Sequence, residues 1–162
     1  MNQLSTTISH GFVHYFDEFR QRVHSLSKGL SEEQFWAKPY SYGNSFGNLV
    51  LHLTGNLSYY IGSQIENNGY VRNRELEFTD IRMGCKREVL ANLDDCIAMV
   101  VHSLNNQAAE DWVREYDAVG VDDVPDRFSI YLRCSVHFHH HIGQMTYLVK
   151  ELSKSPREMG SC

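Results

Sequence analysis

The chain has 162 residues, 42% of them hydrophobic, which suits a single domain with a real core. Lys plus Arg number 15 against 20 Asp plus Glu, and the net charge of -5 argues against nucleic acid or an anionic membrane surface as partner. There is no apolar run of membrane-spanning length and no basic-then-apolar leader, and Cys85, Cys96, Cys134 and Cys162 form no CxxC pair, so a reducing cytoplasmic setting is expected.

Apolar residues at helical spacing, Ile8, Phe12, Phe16, Phe19, Val23 and Leu26, predict a first helix over residues 4–28, with Gly29 to end it. Ser31 and Gln34 have the spacing of a capping box and open a short turn. Residues 39–47 read as a loop that hands over to a second helix, capped near Asn44 or Ser45 and running to about residue 65. Residues 67–84 are charged and irregular, as expected of a long crossover, and long loops in domains of this size are often functional. A third helix is predicted over residues 86–104. Residues 112–116 alternate in character, as a short strand does, and residues 119–126 form a Gly/Asp/Pro loop. The fourth helix begins between residues 125 and 129 and ends near residue 152. Residues 1–152 therefore form one domain of four long amphipathic helices, with short extra helices and a possible short strand pair in the loops; residues 153–162 are expected to be a disordered tail.

On the fourth helix, His137 and His141 stand four residues apart beside the apolar stripe of Ile130, Cys134, Phe138, Met145 and Leu148, where both imidazoles can reach one divalent ion. His139 projects the opposite way and His140 lies on the flank. His10 and His14 share the same spacing but face away from Phe12, Phe16 and Phe19, so they read as surface residues, as does His24. Two ligands need a third. His52 is the candidate, at the edge of the Leu49, Leu53, Leu57 face and in line with Asn56, Tyr59 and Ser63. The alternative for each is a core or boundary histidine hydrogen-bonded to a neighbour.

Three stretches, NLVLHLTGNL around His52, YVRNRELEF over residues 70–78 and HFHHHIGQ over residues 137–144, give the chain a resemblance to the DinB/YfiT-like superfamily of small metal-binding proteins, in a branch known only as a domain of unknown function. The resemblance spans nearly the whole chain. It implies an up-down-down-up four-helix bundle, usually a homodimer, in which three histidines hold one divalent ion, at positions corresponding to His52, His137 and His141. Relatives include S-transferases and a maleylpyruvate isomerase that use the low-molecular-weight thiols bacillithiol or mycothiol, and proteins described as metal-dependent hydrolases. The extra His139 and His140 depart from the motif.

Three imidazoles suit zinc or nickel, with iron and copper also compatible, and leave a coordination position open. Such a site can acidify water for hydrolysis or deprotonate a thiol for transfer to an electrophile. No Asp or Glu falls within a turn of His137 and His141 on the inward face, with Glu66 and Glu151 too far along, so thiol activation of a small-molecule substrate is expected over hydrolysis. Glu75 or Asp80 folding over the site would weaken that preference. A non-catalytic module that binds metal or a small ligand is the reading from another class. Asn56, Tyr59 and Gln144 are candidates to orient the imidazoles or touch substrate, with simple boundary polarity as the alternative, the preferred one for Tyr59. Arg72 and Arg74 could take the carboxylates of an acidic thiol, or, more simply, fix the loop through ion pairs with Glu75.

Overall fold

The computed structural model describes residues 3–79 and 84–154, and within them every regular element is helical. Helix α1 (Gln3–Ser27) buries Phe12, Phe16, Phe19 and Val23, the face its spacing marks. The short α2 (Glu32–Trp36) starts with the expected capping box, in which Ser31 and Gln34 satisfy each other's backbone N–H. Helix α3 (Phe46–Leu57) repeats the device with Ser45 and Asn48, and continues as a π-helical segment, Ser58–Ser63. A four-residue helix, α4 (Leu76–Thr79), interrupts the charged crossover. Helix α5 (Lys86–Asn105) and helix α6 (Arg127–Leu152, capped by Asp126) complete the order.

Side-chain contacts fix how the four long helices lie. Near the start of α1, Ser5 and Ser9 donate to the carbonyls of Gln107 and Leu104 at 3.0 and 2.8 Å, so α1 and α5 are antiparallel. These two buried hydroxyls also satisfy carbonyls at the end of α5 that have no partner within the helix. Phe12 meets Phe128 and Phe19 meets Phe138, with centroids 5.8 and 5.4 Å apart, so α1 and α6 are parallel. Thr54 bonds Cys96 and Glu66 bonds Ser103, which sets α3 and its π-helical extension parallel to α5. His52 packs against His141 while Tyr60, two turns on, lies toward Cys134, so α3 opposes α6. Phe16, Phe46, Leu53, Ile97, Tyr131 and Phe138, all fully buried, fill the space between these helices.

The expected strand is corrected to a turn. Residues 112–116 make one isolated antiparallel bridge, Glu115 with Asp126, flanked by backbone bonds from Phe128 to Trp112 and from Tyr116 to Pro125. Pro125 has no N–H to extend a ladder, and no strand among the described residues lies alongside; a pair this short does not persist as sheet. Instead, the buried Trp112 and Tyr116 anchor the segment, Trp112 by donating to Ser5 and Tyr116 to the carbonyl of Tyr60 at 2.9 Å. No helix among the described residues is long and apolar enough to cross a membrane. The tail expected over residues 153–162 lies outside the described residues from residue 155 onward.

Candidate metal centre

His137 and His141 stand one turn apart on α6 with their Nε2 atoms 3.0 Å apart, and His52 reaches across from α3 to place its Nε2 3.1 Å from that of His137. One nitrogen from each ring lies within 4.8 Å of the other two. His52 is buried, and the other two are half-buried.

The outer nitrogens of two rings decide which inner nitrogens carry lone pairs. His52 Nδ1–H donates to Glu77 Oε2 at 2.8 Å. Glu77 also accepts from Arg72, Nε to Oε1 at 2.7 Å and Nη2 to Oε2 at 2.9 Å, a two-pronged pair. Burial on its own would raise the Glu77 pKa, but the bonds from His52 and Arg72, with the arginine charge, outweigh it and hold the carboxyl below its usual range. An ionised carboxylate only accepts, so Nδ1 of His52 carries a proton and Nε2 is the nitrogen left to face an ion. His141 repeats the arrangement at the surface, with Nδ1 2.8 Å from Gln144 Oε1; the Gln144 amide in turn donates to His140 Nε2 at 3.1 Å.

His137 lies between them. Its Nδ1 is buried and makes no hydrogen bond, and burial, followed by the neighbouring His141 and His52, lowers its pKa to about 3. Burial also lowers that of His141, against the opposing bond to Gln144. Three imidazole nitrogens crowded to 3.0–3.1 Å are a donor set that a divalent cation takes when their lone pairs face it. Two nitrogens at about 2.0–2.1 Å from a tetrahedral ion stand about 3.3 Å apart, close to the spacings here. The residues therefore fit the ion that the sequence suggests.

Local sequence explains how Glu77 comes so close. Gly55 follows His52 by three residues on α3, and a Cβ there would stand 3.0 Å from Glu77 Cδ and closer still to Oε1. Asn48 Nδ2 donates to the Glu77 carbonyl at 3.0 Å, and the Phe78 ring packs on His52 at 4.8 Å. Helix α4 is thus pinned to α3 at three points around one imidazole.

A cavity of about 800 Å³ opens beside His52 and His137, within the range of small-molecule sites. Asn56 and Tyr59 line it next to His52, and Arg72 and Arg74 line it from the crossover. Gln144 is outside it, on His141. Arg72 pairs with Glu77, not with Glu75, and Arg74 lies over the Phe78 ring at 5.4 Å. His139 is exposed and rests on Phe19; His10 and His14 are exposed, while His24 is half-buried and bonded to Asp94. Glu66 bonds Ser103 and Glu151 bonds Lys154, both away from the three imidazoles, and Asp80 lies outside the described residues. The crossover does bring a carboxylate to the triad, as the sequence allowed, but it is Glu77, against His52. Its place in the crossover gave no periodic signal, and only its Arg-x-x-x-x-Glu spacing to Arg72 hinted at a pair. Residues 5–159 match the family model described as "Protein of unknown function (DUF1572)", and the chain belongs to that family. No curated protein matches it.

Proposed function

We propose that this DUF1572 protein is a metal-dependent enzyme that holds a divalent ion, zinc or nickel before iron or copper, on His52, His137 and His141 and activates a low-molecular-weight thiol for transfer to an electrophile. The convergence of three imidazoles, two of them with the outer nitrogen held by Glu77 and Gln144, carries this proposal. The pairwise directions of α1, α3, α5 and α6 support an up-down-down-up four-helix bundle of the DinB/YfiT-like kind, for which a homodimer is the expected state. The thiols of Cys85, Cys96 and Cys134 are all free, in keeping with a reducing cytoplasmic setting.

A divalent cation at such a site favours the thiolate over the thiol without a separate base. The protein's own groups divide the remaining work. Glu77 and Arg72 hold the His52 ring in one tautomer, and Gln144 does the same for His141. Asn56, Tyr59 and Tyr60 form the cavity wall on the His52 side of the triad. Hydrolysis usually also draws on a general base, such as a carboxylate close to the water. Glu77 already accepts from three donors and is buried, which favours thiol chemistry over a hydrolase.

Elemental analysis of the full-length protein and of His137→Ala tests the site: one equivalent of metal in the first and none in the second, with the fold kept, is expected. The enzyme is then assayed with low-molecular-weight thiols and a chlorinated or epoxide electrophile. Thiol-independent cleavage of esters or amides would instead indicate a hydrolase, and metal binding with no turnover a non-catalytic binding module.

A further inference from the structure

The cavity beside the triad has a charge that the whole chain does not. Acidic residues outnumber basic ones by 20 to 15, yet Arg72, Arg74 and Arg133 line this cavity and, among the described residues, no Asp or Glu does. Arg72 is matched by Glu77. Arg74 is held by the face of Phe78, with no carboxylate partner among the described residues; because Phe78 also packs on His52, this guanidinium is one aromatic ring removed from the triad. Arg133, on α6 one turn before His137, meets Asp123 through Nη1 alone, and the side chains are 44% and 72% exposed, a pairing that contributes little. Two guanidinium groups thus line a shared space, Arg74 without a carboxylate among the described residues and Arg133 with only Nη1 engaged by the exposed Asp123. Tyr59, Tyr60 and Tyr70 surround them, and the charges of Arg72 and Arg133 both bear on the Tyr60 hydroxyl. Positive charge concentrated in a concave wall draws anions and orients them.

We infer that the substrate reacting at the triad is a small organic anion whose carboxylate or phosphate group is taken by Arg74 and Arg133. Both oxyanions accept paired hydrogen bonds from a guanidinium. This rests on the proposed function insofar as it takes the cavity to be the substrate cavity, but anion binding itself requires neither metal nor turnover.

The test is calorimetric titration of the full-length protein with succinate, with glycerol phosphate and with uncharged succinamide, on samples whose metal content is measured. Binding of at least one anion, no binding of the amide, weakening as salt rises, and a loss of about tenfold or more in affinity in the doubly substituted Arg74→Ala, Arg133→Ala protein are expected. Succinate binding alone assigns a carboxylate substrate, and glycerol phosphate binding alone a phosphate. Circular dichroism checks the fold of the double variant, and the salt and amide arms need no variant. The inference is overturned if neither anion binds, if succinamide binds equally, or if the double variant keeps wild-type affinity, as it would were the anions held by the metal. Anion binding without metal at the histidines would leave this inference standing and remove the proposed function; metal without anion binding would do the reverse.

Discussion

Gly55→Ala probes the centre without touching any group that bonds it. A methyl group at 55 falls well inside van der Waals distance of Glu77 Oε1 and 3.0 Å from Cδ. Restoring an ordinary contact of about 3.5–4.0 Å requires the carboxylate to withdraw by roughly 1 Å or more. Glu77 Oε2 stands 2.8 Å from His52 Nδ1, so that retreat stretches the bond past useful length. Loss of an acceptor behind a ligand histidine typically weakens metal binding by about 10–100-fold, or about 1.4–2.8 kcal/mol. Alanine is also a better helix former than glycine by about 1 kcal/mol, which works in the opposite direction on stability. The expected result is therefore a split: competition titration against a chromophoric zinc indicator reads an affinity loss of at least tenfold, while the melting temperature of the metal-free protein falls little or rises. Because both substitutions break the same bond, Glu77→Ala in the Gly55→Ala background should add almost nothing further to the affinity loss. Wild-type affinity in Gly55→Ala would refute the assignment of Glu77 as the group that positions His52.

Three further outcomes test the architecture. Phe16→Ala empties a fully buried site between α1 and α6 and should cost about 3–5 kcal/mol in urea unfolding. Tyr116→Phe strands the Tyr60 carbonyl in the π-helical segment and should cost about 1–3 kcal/mol, read by the same method. Burial raises the Cys134 thiol to about 12 and the Cys96 thiol to about 11, so neither supplies thiolate near neutral pH; peptide mapping after brief iodoacetamide treatment of the native protein should find both unmodified, and both alkylated after unfolding.

The helices were legible wherever spacing and caps agreed. Ser31 with Gln34 marks a helix start in sequence because the device is local, and the α1 stripe from Phe12 to Val23 is read directly from periodicity. The inward pair on α6 was likewise separable from His139 and His140 by angle alone. His52 was harder: its place at the edge of a face is compatible with half exposure, and Phe78, Glu77 and the other two imidazoles packed around it make it buried. What could not be read is what depends on distant chain meeting distant chain. Glu77 reaches His52 because α4 folds against α3, and no pattern in a four-residue helix announces that. The change to π-helical winding at Ser58 is equally silent, since no residue type in Ser58–Ser63 marks it.

One carboxylate joins an imidazole of α3 to a guanidinium of the crossover, so the crossover and the histidine ring move as a coupled pair. A force that rotates the ring, such as a change in what its inner nitrogen holds, is carried by Glu77 into residues 72–79, at the mouth of the cavity where Arg74 waits. The backbone amides of that segment would therefore act as a built-in gauge of what the three histidines hold.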